Sequence, residues 1–248
     1  MLEYALVALA AFVAGVQNAL AGGGSFLTFP ALLFAGLGPV AANVTSAVAL
    51  FPGQIATGLA GRRDVAGLPR LGIRALFVIS LAGGALGAVL LLNTPESVFS
   101  AMVPWLVLFA TLVFAWGSFV RRADGVAQRL PPAVSGAAQL AIAVYGGYFG
   151  GGIGILMLAA LTVAGMAVRN AGATKNVLAA VMNAAAVAIF AFSPHVAWRL
   201  AAVMTIAAIA GGQLGAWMFR RVSEALLRVA IIIVGLALTV GLLMRPPT

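Results

Sequence analysis

The stretch QNALAGGGSF (residues 17–26) decides the fold, because three consecutive glycines interrupt a long apolar run there. A second triplet, Gly150-Gly151-Gly152, interrupts the stretch VYGGYFGGGIGI (residues 144–155). A helix needs about 20 apolar residues to cross a hydrocarbon layer about 30 Å thick. The regions 2–37 and 132–166 are each too long for one crossing, and the piece after each break is too short for another. We therefore predict that each region is a hairpin that enters the membrane and returns.

Composition places the rest of the chain in the membrane as well. Of its 248 residues, 63% are hydrophobic and 8% are charged, which exceeds the needs of a soluble core. The net charge of +9 comes from short basic clusters between apolar runs, a pattern of membrane loops that argues against nucleic acid as a partner. With no cysteine and one histidine, the chain offers no disulfide, no thiolate and no multi-histidine metal cluster, so neither metal nor cofactor is expected.

Six further segments are long and apolar enough to cross the bilayer: residues 40–60, 71–92, 98–120, 171–192, 200–219 and 226–243. The start of the chain ends its apolar stretch with Ala19-Leu20-Ala21, as a signal peptide does. Its only early charge is the acidic Glu3, however, so we expect a retained membrane helix. With two returning hairpins, all arginines except Arg199 and Arg245 fall on one side, which the positive-inside rule identifies as cytoplasmic. Both termini are then outside.

The two halves of the chain resemble each other. The triplets lie 128 residues apart, and after one inserted residue Ala42-Asn43-Val44-Thr45 aligns with Ala171-Gly172-Ala173-Thr174. Glycine and alanine are abundant, so chance matches are easy, but here they coincide with the two regions of anomalous length. We predict an all-α polytopic membrane protein with two inverted repeats, residues 1–125 and 126–248, each a broken hairpin plus three crossings.

The breaks indicate a site for an anion. Helix starts at Ser25 and Ile153 present unpaired N–H groups and the positive end of the helix dipole. Non-helical backbone is tolerated at membrane depth only around a protein-lined cavity. The carboxylates all lie at or near segment ends, whereas a cation transporter normally needs one inside the membrane; they are Glu3, Asp64, Glu96, Asp124 and Glu224.

Polar residues around the breaks complete the predicted site. The residues expected to bind substrate are Gly22, Gly23, Gly24, Ser25, Asn43, Thr45, Ser46, Tyr148, Gly150, Gly151, Gly152, Thr174, Lys175 and Asn183. Further candidates are Gln17, Asn18, Gln54, Tyr145, Asn176 and Gln213. Lys175 has two interpretations: it faces the cavity as a counter-charge, or its stem extends to the cytoplasmic surface. For any single residue, ordinary hydrogen bonding between helices is the alternative to ligand contact.

The run from Gly22 through Pro30 to Asn43-Val44-Thr45-Ser46, with its weaker second copy, resembles the signature of the sulfite exporter TauE/SafE family, also called the sulfonate uptake permease family. The resemblance covers essentially the whole chain. It implies a permease or exporter for sulfur-containing anions such as sulfite or sulfonates, in the bacterial inner membrane. The second copy departs from the first at Leu158, which replaces Pro30, and at Lys175, which replaces Ser46. The substrate of the family therefore cannot be assigned to this chain from the resemblance alone.

We therefore predict a transporter, and no enzyme, that moves a small anion by alternating access, with the bilayer and the anion as its partners. A coupling ion and a homo-oligomer are left open. An anion channel with the same site is the closest alternative. A more distant one is an intramembrane serine hydrolase with Ser25 as nucleophile and His195 as base, although His195 follows Pro194 in a predicted outer loop.

Overall fold

The computed structural model describes residues 2–20, 24–60, 62–119, 130–218 and 224–244. Within these ranges the chain is α-helical, with one short 3₁₀ turn and no β-strand beyond a single bridge between Leu68 and Leu71. The helices are α1 (Leu2–Leu20), α2 (Ser25–Phe34), α3 (Pro39–Ala60), α4 (Ile73–Asn93), α5 (Glu96–Phe119), α6 (Pro132–Tyr148), α7 (Ile153–Val163), α8 (Val168–Phe190), α9 (Trp198–Met218) and α10 (Glu224–Leu243).

The all-α prediction is confirmed, and the six predicted crossings correspond to α3, α4, α5, α8, α9 and α10. The largest shift is at α8, which begins at Val168 because Arg169 and Asn170 continue the helix. Both bind Asp64: the Arg169 guanidinium lies 3.2 Å from its carboxylate, and Asn170 Nδ2 donates to its carbonyl at 3.0 Å. The expected repeat boundary at residue 125 lies outside the described residues.

The two interrupted regions each contain a long and a short helix. The short ones, α2 and α7, have 10 and 11 residues, which is about half the length that a crossing needs. They end in the same way, at glycines in the left-handed region: Gly36 has φ 88° and Gly165 has φ 98°. The following residues close the turn, because Leu37 N donates to Leu32 O and Met166 N donates to Leu161 O. This is the Schellman motif, in which glycine avoids the steric cost of a positive φ.

Three described helices are long and apolar enough by themselves to cross a membrane: α4, residues 96–116 of α5, and α8. The 22-residue α3 is not among them. Polar residues such as Asn43, Thr45 and Gln54 lower its hydropathy, and the first two are buried within the protein. An inner helix of a bundle can be more polar than its neighbours because it does not face lipid.

The main helix contacts occur as matched counterparts when α1–α5 are paired in order with α6–α10. Helix α1 packs on α9, and its counterpart α6 packs on α4. Helix α3 packs on α9, and its counterpart α8 packs on α4. Helix α2 packs on α3, and its counterpart α7 packs on α8. Helices α3 and α8 pack on each other, as do α5 and α10. Each half therefore uses helices of the other half to complete its packing.

Glycines allow the closest of these contacts. A Cβ on Gly84 of α4 would collide with the carbonyl of Met182 in α8, and one on Gly87 would collide with the carbonyl of Val144 in α6. Likewise, a Cβ on Gly211 of α9 would collide with the carbonyl of Phe12 in α1. Small residues let membrane helices approach backbone to backbone, which maximises their van der Waals contact.

Gly84→Ala is expected to destabilise the protein by about 1–3 kcal/mol, because the added methyl group must push α4 and α8 apart. The control is Gly172→Ala in α8, where no atom lies within 4 Å of an added Cβ. Thermal unfolding in detergent compares the two. A Gly84→Ala protein that unfolds at the same temperature as Gly172→Ala would contradict this packing.

Candidate functional site

The second helix break is a tight turn between α6 and α7. Gly150 has φ 82° and Gly152 has φ 73°, conformations that other residues rarely adopt. The amides of Phe149 and Gly150 both donate to Tyr145 O, at 2.9 and 3.3 Å, which ends α6. Gly152 O accepts the first bonds of α7, from Ile155 and Leu156. The predicted interruption therefore lies where the glycine triplet indicated.

The first break is described from Gly24 onward, and the predicted site residues Gly22 and Gly23 lie outside the described residues. The amide of Gly24 donates to Asn18 Oδ1 at 2.7 Å, so a side chain of α1 binds the backbone just before α2. Ser25 is the first residue of α2 and is half-buried. Of the two candidates before this break, Gln17 and Asn18, the structure places Asn18 in direct contact with it.

A small cavity lies between the two breaks. Its volume is about 20 Å³, slightly more than one water molecule requires. Each half contributes six lining residues: Ser25, Asn43, Ser46, Ala47, Leu50 and Gln54 from the first, and Gly146, Gly147, Phe149, Gly150, Asn183 and Phe190 from the second. None of the twelve is ionisable. A neighbouring void, lined partly by Ser25, Asn43 and Gly151, brings the middle glycine of the second triplet to the same place.

Asn43 connects α3 to the second break. Its Nδ2 donates to the carbonyl of Tyr148, the last residue of α6, at 2.9 Å. Only 6% of Asn43 is exposed. A carbonyl at a helix end lacks its intrahelical partner, and this side chain supplies one. Ser46, one turn further along α3, shares a 2.6 Å hydrogen bond with Thr28 of α2. Both predicted residues therefore hold the broken segments while they line the cavity.

Gln54 and Asn183 meet at the cavity. Asn183 Nδ2 donates to Gln54 Oε1 at 2.6 Å, which joins the middle of α8 to α3. The two residues are 129 positions apart, the same offset that aligns the Asn43 and Gly172 segments. In the predicted repeat alignment, each is thus bonded to its own counterpart. Asn183 was predicted as a site residue, and Gln54 was among the wider candidates.

Thr45 and Thr174 lie outside the cavity lining and bind loops instead. The amide of Ala197 donates to Thr45 Oγ1 at 3.0 Å. Thr174 Oγ1 accepts from the amide of Ala66 at 3.0 Å and donates to its carbonyl at 3.1 Å. Both threonines are fully buried. They are counterparts in the alignment, and each fastens the loop that follows the central helix of the other half.

Tyr148 and Lys175 also lie outside the lining. The Tyr148 hydroxyl donates to Thr94 Oγ1 at 3.3 Å, so only its backbone carbonyl serves the site. Lys175 is half-buried in α8, where its Nζ donates to Asn176 Oδ1 at 3.0 Å. Neither Lys175 nor Asn176 is a lining residue of the cavity. Its described walls therefore contain polar groups without any formal charge.

Sequence reasoning did not find the apolar and glycine walls of the cavity. Leu50 and Phe190 lie on α3 and α8, and Gly146-Gly147 precede the second break. Apolar residues in a membrane chain carry no signal that separates a cavity wall from ordinary packing. The glycine pair next to the triplet was the one usable signal, since it lets α6 pack closely on Gly84 of α4 and Met182 of α8.

The remaining features do not form a competing site. A larger cavity of about 190 Å³ lies between α4, α6 and α7, away from the breaks, and its walls are mainly alanine and leucine. The described residues contain no group of three or more His, Cys, Asp or Glu side chains suited to a metal. Among the hydrogen bonds of the described residues, none joins Ser25 to His195, the pair that the hydrolase hypothesis requires.

Thr174→Val should loosen the loop that follows α3, because it leaves the amide and the carbonyl of Ala66 without their partner at a cost of about 1–3 kcal/mol. Hydrogen exchange should be faster in peptides that contain Ala66. Thr162→Val is the control, since that hydroxyl binds only backbone carbonyls of its own helix. Equal exchange at Ala66 in both variants would mean that Thr174 does not hold the loop.

Comparisons with known proteins agree with these observations. The family model described as sulfite exporter TauE/SafE matches residues 7–242. A "probable membrane transporter protein ORF9" of a Sinorhizobium species is 31% identical over 244 residues, which cover 98% of this chain and 93% of the relative. "Probable membrane transporter" proteins of Haemophilus influenzae and Escherichia coli strain K12 (YfcA) are 30% and 29% identical, over 92% and 94% of this chain and 89% and 87% of their own lengths. The chain is an integral membrane protein that belongs to the sulfite exporter TauE/SafE family.

Proposed function

We propose that this protein is a transporter of the bacterial inner membrane that moves a small anion, a sulfur-containing oxyanion or an organosulfonate. Membership in a family of membrane transporters supports the general activity. The family name and the neutral, donor-lined cavity between the helix breaks support the choice of cargo. The cavity is the observation on which the proposal rests.

The chemistry of the cavity favours an anion over a cation. The described walls carry no carboxylate, which a cation site inside a membrane normally contains. Amide groups of Asn43, Gln54 and Asn183 supply N–H donors, and Ser25 and Ser46 supply hydroxyls. Helix α2 begins at Ser25, so the positive end of its dipole adds to the same preference.

We further propose that residues 1–125 and 126–248 are inverted repeats that move against each other. The matched helix contacts support a pseudo-two-fold relation, because two halves related in this way must exchange equivalent contacts. The Gln54–Asn183 bond supports it more specifically, since a residue can bind its own counterpart only next to such an axis. Inverted repeats that surround a site at broken helices are the usual plan for alternating access.

The cavity in this structure is smaller than the proposed cargo, and this favours a transporter over a channel. A space of about 20 Å³ admits a water molecule and excludes an oxyanion, which has four or more heavy atoms. Substrate entry therefore requires the halves to separate. Flux through a transporter saturates with substrate concentration, because each cycle carries a limited load, whereas an open channel conducts at much higher rates.

Purified protein in liposomes should take up at least one small sulfur anion, from a panel of sulfite, thiosulfate, methanesulfonate, sulfate and acetate, with saturable kinetics. Asn183→Leu should reduce this flux about tenfold or more, because it removes a buried donor and leaves Gln54 unpaired. The control is Asn93→Leu at the exposed end of α4, where the amide binds only its own helix.

Folding of both variants is checked by size-exclusion chromatography and thermal unfolding. Absence of saturable flux for every anion in the panel would refute the proposed function. Full activity in Asn183→Leu would refute the proposed site while leaving transport itself standing.

A further inference from the structure

The charge of the cavity walls sets a limit on the charge of the cargo. Asn43 and Asn183 are 6% and 7% exposed, so they lie almost entirely away from water. Both are neutral, as are all other lining residues. A group that leaves water for this space loses its hydration, and only uncharged dipoles replace it.

The neutral donors are numerous enough for one oxyanion. An Asn or Gln amide has two N–H groups. Asn43 and Asn183 each use one, toward Tyr148 O and Gln54 Oε1. The amide of Gln54 donates to no described residue, and the Ser25 hydroxyl is likewise without a described partner. Once the halves have separated enough to admit an oxyanion, these wall residues can offer it at least five hydrogen-bond donors, a number within the acceptor capacity of three sulfonate oxygens.

Uncharged dipoles compensate the lost hydration of a monoanion better than that of a dianion. The cost of removing an ion from water rises with the square of its charge, so a dianion costs about four times as much as a monoanion of similar size. Hydrogen bonds from neutral donors increase only in proportion to the charge. The dipole at the start of α2 contributes roughly half an elementary charge. A second negative charge would thus remain largely uncompensated.

We infer that the site accepts monoanions that carry several oxygens, such as alkanesulfonates and hydrogen sulfite, and rejects dianions such as sulfate and sulfite. This inference rests on the proposed function, because it assumes that an anion occupies this cavity. Lys175 is the nearby cation to consider: its Nζ binds Asn176 and lies 3.7 Å from the Cβ position of Gly154 in the first turn of α7, and the residue does not line the cavity. Its predicted counterpart in the first half is the neutral Ser46, which lines the cavity.

The wild-type protein in liposomes provides the first test. Uptake of radiolabelled methanesulfonate should saturate, and unlabelled sulfate should compete at least about tenfold more weakly than unlabelled methanesulfonate. Uptake of total sulfite should fall as the pH, kept equal on both sides, is raised, because the monoanion becomes a dianion. Methanesulfonate keeps one charge throughout and serves as the internal control.

A charge variant provides the second test. Gln54→Lys places an ammonium group on the cavity wall with little change in side-chain length, and it should raise the ratio of sulfate to methanesulfonate uptake about tenfold. Gln54→Met, similar in length and neutral, should lower both fluxes without changing their ratio.

The outcomes separate the two proposals. Equal transport or competition by sulfate and methanesulfonate in the wild-type protein would overturn the monoanion inference and leave the anion transporter intact. No saturable flux of any anion would overturn both. If Gln54→Lys does not fold, the competition and pH measurements on the wild-type protein still decide.

Discussion

Hydrogen bonding of the backbone inside lipid is the constraint on which this structure depends. A helix can be broken at membrane depth only if protein groups bind the exposed amides and carbonyls, because lipid offers no partner. Asn18 binds the amide of Gly24 at the first break, and Asn43 binds the carbonyl of Tyr148 at the second. Polar side chains are thus required beside each break for folding alone. Asn43 also lines the cavity between the breaks, where we propose that an anion binds.

The cavity lies between the two halves of the chain, because helices of each half pack on the equivalent helices of the other half. The α3–α8 contact lies between the breaks, with Gln54 and Asn183 bonded across it. Thr45 and Thr174 fasten loops of opposite halves at two separate places. A relative movement of the halves that releases one of these loops need not release the other. The alternating access proposed above requires such independent release of the two loops, and the close glycine contacts of α4 and α9 lie between helices that would then move against each other.

Much of the fold could be predicted because its signals are local. Three adjacent glycines inside an apolar run interrupt a helix wherever the rest of the chain lies, and apolar segment lengths follow from bilayer thickness. The predicted crossings therefore match the observed helices closely. The site was harder to predict, because it depends on which face of each helix meets which neighbour. Thr45 and Ser46 are adjacent in sequence, yet Ser46 lines the cavity and Thr45 binds a loop 152 residues away. Lys175 follows Thr174 in α8, but its ammonium group binds Asn176 and the residue does not line the cavity. The sequence of a single segment does not indicate which neighbouring helix or loop each of its side chains will contact.

Labelling of a single cysteine inside the cavity tests most directly whether the transported anion passes between the helix breaks. The chain has no cysteine of its own, so Ser25→Cys introduces one thiol at the start of α2 without further changes. In membrane vesicles this thiol should react with a small, negatively charged thiol reagent, and the transported anion should slow the reaction with the same half-maximal concentration that it shows in transport. A labelling rate that is unaffected by an anion which the same variant transports would place the pathway elsewhere.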